Sequence, residues 1–230
     1  MTRTLQPELL DTLPAKNPEA ARSRADLRRV NAWMGHRRIL LHTLLTAPLA
    51  NVRRIVELGA GDGTLALGLA TKLNARWPQV ELTLVDQQRL VTAESLEAFH
   101  RFNWNARVVQ ADVLDWLATK PEPTDILFAN LFLHHFDEAN LRKLLRQAAA
   151  RCSCFVALEP RRHVAARLGC ELLWLIGCNR ITRHDARLSV RAGFRGQELS
   201  RLWPDTGNWT VREQPAGMFS HRFVATRASI

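Results

Sequence analysis

Apolar residues in this chain gather in short runs set between amphipathic stretches. Ile55, Val56 and Leu58 make a brief apolar run, after which Leu65, Leu69 and Leu73 fall on one helical stripe. Val80–Asp86 alternates and closes on an acid, as a second strand should. Leu90 to Arg101 predicts the next helix, and Ala106–Asp112 a third strand that again ends in an acid. Pro121 and Pro123 mark a loop before Asp125–Asn130, a nearly continuous apolar run of the kind found in the middle of a parallel sheet. Asp137 is placed to cap a helix from Glu138 to Arg151, and Cys154–Pro160 holds a fifth strand. Five alternations of strand and helix predict an α/β fold with a doubly wound, mostly parallel sheet.

The two ends of the chain depart from this alternation. Residues 1–50 read as helices: a short one through Leu5, Leu9, Leu10 and Leu13, then a longer one from about Ala20 that Gly35 can divide and Pro48 stops. They are expected to form an N-terminal helical cap, with residues 51–230 as the main domain. A helical insertion is expected over about 161–205. Its first half, Ala165 to Cys178, is 14 residues long and almost wholly apolar, too short to span a bilayer. That half reads either as a buried helix or as a helix lining an apolar pocket. Its second half predicts a helix ending at Gly193. Two runs over about 209–227, joined at Pro215-Ala216-Gly217, predict a closing β-hairpin.

The corner between the first strand and helix is Glu57-Leu58-Gly59-Ala60-Gly61-Asp62-Gly63. A glycine turn running into a helix N-terminus presents backbone N–H groups and a positive dipole end to a polar ligand. The dinucleotide fingerprint G-x-G-x-x-G would need glycine where Thr64 stands. The pattern E-x-G-x-G-x-G instead resembles the first motif of the class I S-adenosylmethionine-dependent methyltransferases. Asp86 lies 23 residues beyond Gly63, where nucleotide folds place a ribose-binding carboxylate. Asn130 followed by Leu131-Phe132-Leu133-His134-His135-Phe136 resembles the fourth motif of small-molecule members. It departs from the [DNS]-P-P-[FY] motif of enzymes that methylate amino groups of bases. The resemblance implies a seven-stranded sheet of order 3-2-1-4-5-7-6 with S-adenosyl-L-methionine as cofactor. It implies cofactor contacts at Glu57, Gly59, Ala60, Gly61, Gly63, Asp86, Gln87, Asp112, Val113 and Asn130. Asp112 can equally cap the helix that follows it.

Methyl transfer to a hydroxyl or an enolic carbon requires removal of a proton, so a base helps. Parallel-sheet sites lie beyond the C-terminal ends of strands, which singles out His134, His135 and Glu159, while His184 beside Asp185 sits in the insertion. His134, His135 and His184 are the catalytic candidates, and helix capping by Asp185 is the structural alternative for the last. Trp33, Met34 and Trp174 are the candidate acceptor contacts, because the leader and the insertion carry more large apolar groups than a crossover needs.

Composition adjusts this picture little. An apolar fraction of 47% suits a globular chain. Cys152, Cys154, Cys170 and Cys178 match no zinc spacing and read as reduced core residues of a cytoplasmic protein, with no metal expected. The N-terminus lacks the apolar core of a signal peptide. The net charge of +10 admits nucleic acid, an anionic membrane surface, an acidic substrate or simply an arginine-rich surface. The expectation is a methyltransferase acting on a small apolar or aromatic acceptor of phenolic, polyketide or quinone type, with weak membrane-surface contact allowed. The alternative is an RNA-directed methyltransferase or a non-catalytic RNA-associated relative.

Overall fold

A computed structural model of the chain describes residues 2–14, 16–119, 122–205 and 208–228; Pro121 of the expected loop lies outside them. In chain order the elements are α1 (Leu9–Thr12), α2 (Pro18–Trp33), α3 (His36–Thr46), β1 (Arg54–Leu58), α4 (Thr64–Leu73), β2 (Val80–Asp86) and α5 (Ala93–His100). They continue with β3 (Trp104–Gln110), α6 (Val113–Thr119), β4 (Thr124–Asn130), α7 (Glu138–Ala149), β5 (Cys152–Pro160), α8 (Val164–Glu171), α9 (Arg180–Ala192), β6 (Trp209–Ala216) and β7 (Ser220–Arg227). The described residues form a seven-stranded sheet of order β3-β2-β1-β4-β5-β7-β6. β1 to β5 pair in parallel, and β7 inserts antiparallel between β5 and β6. Fold, strand order and closing hairpin agree with the expectation.

Side chains alternate across the sheet, and each face builds its own core. Ile55, Leu82, Leu84, Ile126, Phe128 and Val156 face α3, α4 and α5, where Leu40, Leu44, Leu69, Leu73 and Phe99 meet them. Val56, Leu58, Leu127, Phe155 and Phe223 face the opposite way, against Leu117, Leu141, Leu144, Leu145 and Trp203. β4 and β5 are almost wholly buried because both of their faces and both of their edges are covered. β3 starts two residues earlier than the sequence predicts. The Trp104 ring is buried there, with its Nε1–H donating to the Trp77 carbonyl at 3.1 Å.

Gly35 adopts a left-handed conformation (φ 71°) and separates α2 from α3. The leader helix is shorter than expected, one turn over Leu9–Thr12. α2 and α9 meet along a buried polar seam. Asp26 accepts from Asn179 N (2.6 Å) and Thr182 Oγ1 (3.2 Å), and Ser23 Oγ lies 2.8 Å from Thr182 Oγ1.

The first half of the insertion is not a fully buried helix; only its inner side, through Ala166, Cys170 and Leu173, lines a pocket. Helix ends at Glu171, and a succession of turns follows. Leu172, Trp174, Leu175 and Ile176 are exposed, so Trp174 neither fills the core nor lines a pocket. Two turns of helix on three small inward residues, Ala166, Gly169 and Cys170, have too narrow a buried stripe to take in the outer side chains. No helix of the described residues is long and apolar enough to cross a membrane.

α9 ends against β5 with no room to spare. A Cβ on Gly193 would stand 2.2 Å from the Pro160 carbonyl oxygen, which also accepts from Phe194 N at 2.9 Å. Gly193→Ala is therefore expected to lower stability by about 1–3 kcal/mol through overpacking. A urea midpoint equal to that of the parent chain would contradict this packing.

Candidate active site

The glycine corner is shaped by its backbone. Gly59 N and Ala60 N both donate to the Val85 carbonyl (2.9 and 3.1 Å), which folds the chain sharply off β1. Gly59 and Gly61 have φ of 69° and 54°, where residues with a Cβ are strained. At Gly59 a Cβ would also collide with the Phe132 ring at 2.2 Å, whereas at Gly61 it would meet nothing within 4 Å. Gly61 thus presents bare backbone to a cavity of about 790 Å³. That volume lies within the range of small-molecule and cofactor sites.

Nine of the ten expected cofactor residues line this cavity; Gly63 stands apart, turning into α4 behind Leu84 and Val91. Asp86 accepts from Gly61 N (2.9 Å) and Gln88 N (2.8 Å), so its carboxylate is locked beside the turn with lone pairs to spare. Asp112 serves two purposes: it accepts from Leu114 N (2.8 Å) and Asp115 N (3.2 Å) at the start of α6, and from Gln87 Nε2 (3.0 Å). Glu57 is 2% exposed, and its Oε2 has no partner among the described residues. Burial, then the charges of Asp62 and Asp86, hold its carboxyl well above the usual carboxylate range. Arg28 offsets part of that repulsion from α2, with Nη1 2.7 Å from Asp62 Oδ2, and Arg24 Nη2 reaches Gln88 Oε1 at 2.9 Å. Asn130 Oδ1 lies 2.8 Å from Nδ1 of the buried His36, whose Nε2 lies 2.8 Å from Ser220 Oγ.

The turn after β4 is held from beneath by Glu159. One of its oxygens accepts from Phe132 N (3.0 Å) and Leu133 N (2.8 Å), and the other lies 2.8 Å from His134 Nδ1. Leu131 enters this turn at φ 51°, an unusual conformation for a branched side chain and a local store of strain. The far nitrogen of His134, Nε2, lies 3.3 Å from Glu8 Oε1. Burial opposes the imidazolium, but hydrogen bonds to Glu159 and Glu8 outweigh it and carry the pKa up to about 9. At neutral pH both nitrogens of His134 therefore donate protons. It is not a base, and Glu159, fully buried and committed to four N–H donors, is not one either.

His135 also lines the cavity, with Nδ1 3.1 Å from Asp11 Oδ2. Glu8, His134 and His135 bring three potential ligand atoms within 4.8 Å of one another. The two carboxylates already bound to His134 favour a proton there over a metal ion. His184 lies outside the cavity wall and half exposed. Its neighbour Asp185 is buried: Oδ1 lies 3.1 Å from His184 Nδ1, and the carboxylate caps α1, accepting from Leu9 N and Leu10 N at 2.9 Å each. Trp33 and Met34 line the cavity; Trp174 does not.

Several wall residues were missed from the sequence. Glu8, Leu10 and Asp11 come from the N-terminal arm. Arg3 fastens that arm by donating to the carbonyls of Ala192 (2.8 Å), Phe136 (2.7 Å) and His134 (3.3 Å). Leu173, Cys170 and Phe219 supply an apolar wall opposite the acids. A four-residue helix without a buried stripe leaves no periodic trace, so nothing in the leader announced this role.

Residues 55–153 match the methyltransferase domain family. Over those residues the chain is similar to a methyltransferase domain, and its strand order is that of the class I methyltransferase fold. Among curated relatives, the tRNA1(Val) (adenine(37)-N6)-methyltransferase of Escherichia coli O1:K1 is 31% identical over 86 residues, covering 36% of this chain and 34% of the relative. The trans-aconitate 2-methyltransferase of Escherichia coli strain 55989 is 32% identical over 91 residues, covering 39% and 32%. The matched stretch spans about a third of the length of these relatives. Among solved structures, the plantazolicin methyltransferase BpumL in complex with SAH superposes with a TM-score of 0.65 at 13% identity, covering 92% of this chain and 91% of that one. The mitomycin 7-O-methyltransferase MmcR gives 0.58 at 18% identity, covering 96% and 60%. At these identities the structures speak to the methyltransferase fold alone.

Two of the buried histidines, His36 and His134, give the domain a pH signature. Burial is the chief cause of a His36 pKa lowered to about 4, against the upward pull of Asn130 and Glu159. An unfolded histidine titrates near 6.5, so the unfolded chain binds more protons than the folded one between about 4 and 6.5. Stability therefore falls as pH drops through that window. His134 has the opposite sign: the folded chain keeps a proton that the unfolded one releases, and stability falls as pH rises from about 6.5 through 9. Denaturant titrations should show both limbs, each of order a few kcal/mol. His134→Gln should flatten the alkaline limb, and an unchanged alkaline slope in that variant would refute the ion chain.

Proposed function

We propose that the chain is an S-adenosylmethionine-dependent methyltransferase acting on a small apolar or aromatic acceptor of phenolic, polyketide or quinone type. The observation that carries this reading is one continuous cavity with two chemically different walls. The glycine corner, Asp86 and Glu57 stand on one side, and Met34, Leu173 and Phe219 on the other.

The residues present fit the cofactor. Asp86 offers acceptor sites to a ribose diol, and Asp112 with Val113 N an edge for adenine. The orphaned Glu57 oxygen would be satisfied by the ammonium of an amino-acid moiety. Gly61 leaves room that any side chain would take. When bound, the sulfonium supplies an already activated methyl group, so the protein's share is positioning and exclusion of water. The N-terminal segment, residues 1–50, acts as a cap over this cavity. For a hydroxyl acceptor, His135 is the base. It stands on the wall, Asp11 orients its ring through Nδ1, and the other two histidines are respectively protonated and outside.

The tRNA-modifying relative and the net charge favour an RNA acceptor as second reading. Against it, Asn130-Leu131-Phe132-Leu133 lacks the Pro-Pro-aromatic turn of base-amino methylating enzymes. A thermal scan with S-adenosylmethionine, S-adenosylhomocysteine, NAD and tRNA separates these readings, because each ligand raises the melting temperature only of a chain that binds it.

Gly61→Val is expected to lower cofactor affinity at least tenfold by calorimetry, and Asp86→Ala to weaken it by about 1–3 kcal/mol. Unchanged affinity in Gly61→Val would sink the cofactor assignment. His135→Gln should reduce turnover of a phenolic acceptor by about 100-fold with cofactor affinity unaltered. Retained turnover would remove His135 from the reaction.

A further inference from the structure

Eleven large apolar side chains are exposed among the described residues, and six of them fall between Val164 and Ile176. Scattered exposed leucines are ordinary, but a contiguous set marks a surface that meets something. Val164, Leu168 and Leu172 are spaced four apart, so they form one outward stripe on α8, and Trp174, Leu175 and Ile176 extend it through the following turn. Their exposures of 41–61% belong to side chains that the fold does not cover.

The reverse side of the same segment is cavity wall, through Ala166, Cys170 and Leu173. Phe219 connects it to the mouth: its ring packs on Gly169, and Trp33, 61% exposed, lies against that ring with centroids 5.0 Å apart. Outer stripe and inner wall are thus two sides of one short layer. Free charge beside the stripe is mainly basic. Arg167 stands on the exposed side of α8, and Arg180 is exposed at the start of α9. Of the acids nearby, Glu171 is paired with Arg187, Asp26 and Asp185 are buried in hydrogen bonds, and Glu19 is exposed on α2.

We infer that the exposed apolar stripe of α8 and its following turn docks on an anionic lipid bilayer, so that a lipophilic acceptor passes from the membrane into the cavity beneath. A short helix with leucine and tryptophan outward and arginine beside them suits the interfacial zone. Its apolar side chains enter the acyl boundary, and its guanidinium groups meet lipid phosphates. The surplus of 32 basic over 22 acidic residues adds a long-range attraction to such a surface. The acceptor route rests on the function proposed above; the docking surface does not.

Flotation of the full chain with vesicles tests the surface. The parent chain should float with phosphatidylcholine–phosphatidylglycerol vesicles (about three to one) and at least tenfold less with pure phosphatidylcholine. The triple variant Leu168→Ser, Leu172→Ser, Leu175→Ser should lose at least tenfold in bound fraction with an unchanged melting temperature. Arg167→Gln with Arg180→Gln should weaken binding to the anionic vesicles alone. Leu45→Ser, an exposed leucine of α3, should float as the parent does. A parent chain that stays with the lipid-free fraction overturns the proposal, as does equal flotation of the triple variant. So does a parent dimer, seen by light scattering, that the triple variant splits, since a second copy would then cover the stripe. Calorimetry with S-adenosylmethionine on the same preparations keeps the two readings apart: flotation without cofactor binding refutes the enzyme and leaves the surface standing, and the reverse result does the opposite.

Discussion

The site depends on a buried chain of alternating charge, Glu159–His134–Glu8. Glu159 stands at the end of β5 with no exposure, where an isolated carboxylate would be very costly. Four N–H donors from the turn after β4 compensate it: three from the backbone and one from an imidazolium. Those bonds in turn fix a turn whose first residue, Leu131, sits in a conformation it would not choose alone. The second proton of His134 is then available only to Glu8. The leader is thereby joined to the centre of the sheet by groups that must be paired once they are buried. Removing one member of such a chain leaves the others as uncompensated charges, which is far more damaging than never having had them.

The opposite wall shows the reverse economy. Asp62 and Asp86 stand close enough to Glu57 to raise its proton affinity, and Arg28 offsets part of the crowd. The fold gains nothing from a carboxyl oxygen buried without a partner. A cluster of acids kept at the C-terminal ends of strands, around a turn with bare backbone, makes sense as a receptacle for hydroxyl and ammonium donors. One domain therefore holds two acid-rich centres. In one the buried carboxylates are paired through an imidazolium, and in the other a buried carboxyl oxygen of Glu57 has no partner among the described residues.

Much of this was legible in the sequence, for local reasons. The glycine spacing, the strand-end acids at Asp86 and near Asp112, and the near-continuous apolar run of β4 are periodicities or motifs within a dozen residues, and the sheet order followed from the family resemblance they carry. What escaped was whatever depends on distant partners. Glu8 and His134 are separated by more than half the chain, and no pattern in either neighbourhood points to the other. His184 and Asp185 do meet, Nδ1 to Oδ1 at 3.1 Å, yet the pair stands outside the cavity wall and its carboxylate is shared with the start of a distant helix. Trp174 failed for another reason. Apolar content predicts burial only where an opposing surface exists to bury against, and composition carries no information about the opposing surface.

That last failure says something about the segment itself. α8 satisfies the fold with small residues: Ala166 and Cys170 pack on α9, and Gly169 makes room for Phe219. Polar side chains at 164, 168, 172, 174, 175 and 176 would leave every one of those contacts in place and would remove the standing liability of an apolar surface. The stripe is therefore not a by-product of packing, as the large residues of β4 and β5 are. An outward face that the core does not require, backed by an inward face that forms the cavity wall, makes sense only as a surface with a role outside the molecule. The physical form of that role is set by its neighbours, whose free charge is mainly basic.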